Sequence, residues 1–244
     1  YIGIWVISPK RLFTGNWKDE LWLVAGGIFG GSLYFFTENT ALGITQASNV
    51  SFIICTAPLL TTILSLLFYK SEKASKGLIY GSLLALMGVG LIVFNGSFVL
   101  KISPIGDLLT LLAALSWAFY SLIIKKMAGR YPTVFITRKI FFYGVLTILP
   151  AFLLHPLQPD AAVLLQPGVL FNLLFLAVLA SLICYVLWNV VLKQLGTVRA
   201  SNYIYLNPLV TMIASSLILD EKITLVALGG AACIVCGVYW AEKK

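Results

Sequence analysis

One carboxylate stands alone in a long apolar stretch, Glu38 in YFFTENTALG. An ionisable group at membrane depth is costly and usually faces a cavity or a partner. Two chemistries suit it: carrying a proton, or recognising a cationic group. A third reading is an acid at the outer end of its span, reaching water. Beside it, Asn39 has a counterpart in Asn189, and both amides can bind substrate or hydrogen-bond between helices. Trp117 and Tyr120, three apart, share one helical face. Such aromatics either stack on an organic ligand while donating one hydrogen bond or anchor the membrane interface. Asn202, Tyr203, Tyr205 and Asn207 form the most polar intramembrane stretch, next to Pro208. Pro58 and Pro208 each remove a backbone donor, giving either a gating bend or a static kink.

Other chemistries find no residues. The chain has no Walker sequence and no HExxH. His155, the single histidine, has no carboxylate or cysteine at metal spacing, and no helix is acid-rich. Cys233 and Cys236 have CxxC spacing but sit in an apolar run without a second pair, as small packing residues would. No catalytic set, metal or cofactor is expected. Arg138 and Lys139, early in a span, are expected to snorkel to the membrane interface.

These residues need a membrane-spanning frame. Of 244 residues, 60% are hydrophobic and 11% charged, and the mean hydropathy is +0.97. A soluble domain carries about 25% charged residues, so a soluble enzyme, a disordered segment and a secreted disulfide scaffold are excluded. A helix crosses the hydrocarbon core with roughly 20 apolar residues. On that measure the chain holds eight complete spans, near 21–42, 48–69, 77–95, 106–124, 135–154, 169–192, 200–219 and 223–240, after a stub at 1–7. Alternating sides at each span puts 15 of the 17 Lys and Arg on one face and only Lys101 and Lys222 on the other. The rich face is cytoplasmic by the positive-inside rule, and the C-terminus lies with it. The charge of +8 is thus a topology signal rather than a mark of nucleic-acid binding.

The chain also repeats itself. Shifted by 150 positions, Leu33–Tyr69 falls on Ile183–Leu219 with ten of 37 pairs identical, among them Asn39 with Asn189 and Pro58-Leu59 with Pro208-Leu209. After a one-residue gap, Gly81 matches Gly230 and Gly88 matches Gly237. Glu38 falls on Trp188, so the acid is not part of the duplicated frame. The unit holds five spans, an odd number, so equivalent helices cross in opposite directions. Inverted repeats of this kind mark many secondary transporters, with the substrate site at the repeat interface. Residues 103–144 have no partner in the first half, which leads us to expect about 40 further residues upstream, one span and part of another.

The segments LGITQASNVSFIICTAPLLTTILSLLFYKSEKAS and LKQLGTVRASNYIYLNPLVTMIASSLILDEKIT, each followed by a Gly-rich helix, and GDLLTLLAALSWAFYSLIIKK resemble the EamA-type permeases of the drug/metabolite transporter superfamily. The resemblance covers nearly the whole chain. It implies an all-α polytopic membrane protein of two inverted five-helix repeats, here residues 1–97 and 103–241. It also implies a secondary transporter, more an exporter than an importer, of a small organic metabolite or drug-like compound, working by alternating access in the inner (plasma) membrane. Its partners would be the substrate and the bilayer, with a proton as coupling ion and a homodimer as open alternatives and no nucleic acid. A membrane scaffold or assembly protein is a second reading. A membrane-embedded lipid-modifying enzyme is a third, and it would need clustered catalytic groups where only Glu38 is available.

Overall fold

The computed structural model describes residues 13–69, 75–94, 103–154, 161–219 and 223–243. The stub at 1–7, His155, Lys101 and the loop residues Asp220, Glu221 and Lys222 lie outside them. The described residues are helical. In chain order the helices are α1 (Trp17–Gly27), α2 (Leu33–Ile44), α3 (Ala47–Ile54), α4 (Ala57–Phe68), α5 (Lys76–Phe94), α6 (Pro104–Ala128) and α7 (Thr133–Leu154). The short α8 (Ala161–Leu164) and α9 (Pro167–Leu174) follow, then α10 (Cys184–Leu195), α11 (Thr197–Asn202), α12 (Asn207–Leu219) and α13 (Leu225–Glu242). Among the described residues, six helical stretches are long and apolar enough to cross a membrane: 47–68, 76–94, 104–128, 133–151, 167–195 and 225–242. They coincide with six of the eight spans expected from hydropathy. The other two, near 21–42 and 200–219, are helical stretches whose pitch changes along their length.

Local signals set the ends. Asn16 caps α1 by accepting the Lys18 N–H at 3.0 Å, and Asp19 and Glu20 occupy the first turn, where the helix dipole favours acids. Thr224 caps α13 by accepting the Ala227 N–H at 3.1 Å. Helix α10 ends at Gly196 with φ +83°, a left-handed conformation that glycine adopts without Cβ strain.

The chain forms two compact units. The first comprises Tyr1–Leu33 and Ile123–Gly196. In it α1 packs on α7, with glycines at the contact: a Cβ at Gly27 would lie 2.5 Å from Tyr143 Cβ and 2.8 Å from the Gly144 nitrogen. A π-helical turn, Ile28–Ser32, joins α1 to α2, and the Tyr185 hydroxyl donates to the Gly30 carbonyl within it at 2.7 Å. A second π-helical stretch, Phe175–Ile183, joins α9 to α10.

The second unit comprises Tyr34–Leu122 and Thr197–Lys244. Its centre is the crossing of α5 with α13. Gly81 meets Gly237 and Gly88 meets Gly230 so closely that a Cβ at Gly81 would lie 2.5 Å from the Gly237 carbonyl oxygen, and one at Gly88 2.5 Å from that of Gly230. Small residues let two backbones approach this way in a membrane. Gly229, one residue earlier on α13, has nothing within 4 Å of its Cβ position. Gly230→Ala is therefore expected to cost about 1–3 kcal/mol by overpacking, while Gly229→Ala should gain up to about 1 kcal/mol of helix propensity. Thermal unfolding of the two variants in detergent separates these opposite signs.

Candidate substrate site

In the second unit, α2 and α6 bring Glu38 and Trp117 into one cluster through a residue that sequence reasoning passed over, Tyr34. Tyr34 lies one turn before Glu38, and its hydroxyl donates to Glu38 Oε1 at 3.0 Å. Its ring packs on Trp117 with centroids 5.2 Å apart and planes 50° apart. Trp117 in turn meets Tyr120 at 5.1 Å and 46°. Glu38, Tyr34 and Trp117 are half-buried, whereas Tyr120 is fully buried and backs Trp117. Among the described residues no cation pairs with Glu38. The i, i+4 spacing of Tyr34 and Glu38 is the signal that could have identified the pair.

The other candidates distribute differently. Asn39 is exposed and donates to the Phe35 carbonyl of its own helix at 2.8 Å. Asn207 is exposed, whereas Tyr205 is fully buried in the apolar core formed by Cys55, Ala85, Val89, Ile234 and Val238. Asn202 is fully buried, and neither its amide oxygen nor its amide nitrogen has a hydrogen-bond partner among the described residues. Pro58 stands second in α4, after a turn at Cys55–Thr56 in which the Ile53 carbonyl accepts the Thr56 N–H at 2.9 Å and the Thr56 hydroxyl at 2.7 Å. Pro208 stands second in α12, after a 3-10 turn at Tyr203–Leu206. Each proline thus starts a new helix, where its missing N–H costs nothing.

In the first unit Trp188 is half-buried, and the fully buried Asn189 donates to Thr137 Oγ1 at 2.8 Å, tying α10 to α7. The two asparagines that match at the shift of 150 positions therefore make different bonds, one within a helix and one between helices.

Arg138 and Lys139 do not snorkel. Their relative exposures are 1% and 0%. Lys139 Nζ pairs with Glu20 and donates to the Tyr143 hydroxyl at 3.1 Å, and that hydroxyl donates to Glu20. Two bonds from Thr14, 3.1 Å from its N–H and 2.8 Å from its hydroxyl, take the second Glu20 oxygen. Burial alone would raise the Glu20 carboxyl, but these hydrogen bonds outweigh it and hold the group below its usual value of 4.5. Next to it, Asp19 accepts Arg130 at 2.5 Å and the Tyr131 hydroxyl at 2.8 Å. Buried partners explain the departure from snorkelling. Glu20, at the head of α1, supplies the charge that keeps the Lys139 ammonium inside the protein, and the Arg138 guanidinium lies 5.3 Å from the Phe135 ring centroid.

Comparison with known proteins follows the same lines. The profile of the EamA-like transporter family matches residues 1–94 and 104–241. A protein of Archaeoglobus fulgidus named only as an uncharacterized transporter is 28% identical over 242 residues, covering 98% of this chain and 82% of its own. A Salmonella typhimurium protein named "Probable amino-acid metabolite efflux pump" is 27% identical over 248 residues, covering 96% of this chain and 81% of its own. The protein of that name from Escherichia coli is 24% identical over 241 residues. One crystal structure superposes with a TM-score of 0.81 at 18% identity, over 99% of this chain and 81% of the other, a likeness of fold.

Proposed function

As a member of the EamA-like transporter family, the chain is a multi-pass membrane transporter of small molecules, and we propose that it exports an organic metabolite by alternating access, with Glu38 contacting either the substrate or a coupling proton. One observation carries this reading. A carboxylate in an apolar span has a tyrosine hydroxyl as its partner and no cation paired with it among the described residues. Keeping an acid there is costly unless a ligand or a proton uses it.

The proposed mechanism rests on two inverted repeats, residues 1–97 and 103–241. Helix irregularities support that division. The π-helical turn at Ile28–Ser32 and the break at Cys55–Thr56 recur at the same shift of 150 positions, in Phe175–Ile183 and Tyr203–Leu206. The glycine seam is reciprocal too: the contact of Gly81 with Gly237 maps onto that of Gly230 with Gly88. Broken helices near a midplane site suit alternating access. The relatives named as efflux pumps support export, and the Lys and Arg count supports a cytoplasmic C-terminus in the inner membrane.

The test is transport by the whole protein in everted membrane vesicles, with amino acids, their derivatives and amines as solutes. Accumulation of at least one solute inside the vesicles, lost when an uncoupler collapses the proton gradient, is the expected result. A protein that binds lipid and partner proteins but moves none of these solutes would point to the scaffold reading instead.

A further inference from the structure

At the cation-rich end of α1, side chains outside the substrate site point to a partner in the bilayer itself. We infer that Lys18 and Lys126, with the Trp17 and Trp22 rings beside them, form a binding site for the headgroup phosphate of an anionic phospholipid. The site is independent of which solute the protein moves.

Three side-chain contacts follow one another between α1 and the last turns of α6, with Arg130 just beyond them. Arg130 pairs with Asp19 at 2.5 Å, Lys126 Nζ lies 3.6 Å from the Trp22 ring centroid, and a Cβ at Gly26 would lie 3.3 Å from Ile123 Cγ2. Lys18 stands one turn before Trp22 on the same face of α1, and its Nζ lies 6.0 Å from the Trp17 ring centroid. No carboxylate neutralises these two ammonium groups. Asp19 is taken by Arg130 and the Tyr131 hydroxyl, and Glu20 by Lys139, the Tyr143 hydroxyl and Thr14. Among the described residues no ion pair reaches Lys18 or Lys126. A ring face attracts an ammonium but leaves its charge standing. The surroundings then decide which anion fits. Lys18 is exposed and Lys126 half-buried, and beside them Trp17, Leu21 and Trp22 are exposed apolar surface. Indole rings favour the level of lipid headgroups. A free phosphate ion would use the charge and leave that surface bare. An anionic phospholipid uses both, with its phosphate at the ammonium groups and its chains along α1. The choline of a zwitterionic lipid would meet two positive charges, so headgroup charge selects.

Dioleoylphosphatidylglycerol and dioleoylphosphatidylcholine test this directly, since they share their acyl chains and carry charge −1 and 0 at pH 7. The full chain in detergent is given either lipid, bound lipid is counted by native mass spectrometry, and the melting temperature is followed in parallel. Phosphatidylglycerol is expected to bind about 25-fold more tightly, roughly fivefold for each lysine near the headgroup. Lys126→Gln should lower that preference about fivefold, and Lys18→Gln/Lys126→Gln should abolish it. Lys126→Arg keeps the charge over the ring and should retain the preference. Lys193→Gln removes the same charge from the exposed last turn of α10 and should change nothing. Equal binding of the two lipids, a preference that survives the double variant, or one that falls as far in Lys193→Gln overturns the site. A melting temperature raised as much by inorganic phosphate as by phosphatidylglycerol also overturns it, because the site would then hold a soluble anion rather than a lipid.

Discussion

Lys139→Met is expected to destabilise the first unit by about 3–5 kcal/mol, the loss seen when one partner of a buried ion pair is removed. Lys139 has no exposed side-chain surface, and its partner Glu20 is only 18% exposed. Removing the ammonium leaves a carboxylate held by Tyr143 and Thr14 alone, near a membrane that cannot solvate it. The double variant Glu20→Gln/Lys139→Met should recover much of the loss, because two neutral groups cost far less to bury than one unpaired charge. Arg130→Met is the contrast. The Arg130 side chain is 54% exposed, and Asp19, though only 6% exposed, keeps the Tyr131 hydroxyl, so the loss of Arg130 should cost less than that of Lys139, about 1–3 kcal/mol. Thermal unfolding of the three variants in one detergent decides the order. Equal losses for Lys139→Met and Arg130→Met would mean that burial does not set the strength of these pairs.

The same carboxylate fixes a pH dependence. Because the folded protein holds Glu20 below its ordinary value of 4.5, its ionised form contributes stability at pH above 4.5. That contribution is lost as pH falls through the lower folded value. The melting temperature should therefore drop on acidification below about pH 4.5, and Glu20→Gln should remove that part of the slope. A slope unchanged by Glu20→Gln would assign the acid sensitivity to other carboxylates.

These residues also show what a sequence can convey about such a chain. Hydropathy located the spans because crossing a bilayer demands a long apolar run, and six of those runs recur as helical stretches among the described residues. The positions of Pro58 and Pro208 were legible because proline disfavours a helix interior, and each stands second in a helix, after a turn within its span. The glycines matched at the repeat shift, Gly81 with Gly230 and Gly88 with Gly237, were legible in the sequence, but which helices they join was not. The pairing of Gly88 with Gly230 depends on how α5 meets α13. Side-chain partners were the least legible. Snorkelling was the natural reading for Arg138 and Lys139 because a lone cation near a helix end prefers water. What reverses it for Lys139 is Glu20, 119 positions away in sequence. Asn39 and Asn189 share a repeat position, yet Asn189 finds Thr137 across a helix contact while Asn39 faces outward.

Glu38→Gln is expected to lower transport by about 10–100-fold, since a hydrogen bond to a charged group is worth about 1.5–3 kcal/mol and each 1.4 kcal/mol is about tenfold. The protein itself should remain intact. A glutamine oxygen can still accept the Tyr34 hydroxyl, and a neutral amide is cheaper to hold in an apolar span than a carboxylate, so the melting temperature should stay level or rise. That combination, activity lost with stability kept, distinguishes a functional acid from a structural one. The kinetic form of the loss then separates the two roles open to Glu38. If the carboxylate recognises substrate, Glu38→Gln raises KM, and Glu38→Asp, which keeps the charge, retains part of the affinity. If the carboxylate carries the coupling proton, Glu38→Gln abolishes uphill accumulation and its response to an uncoupler while downhill exchange continues. Transport and pH profile both unchanged in Glu38→Gln would remove Glu38 from the mechanism and leave it as an acid at the outer interface.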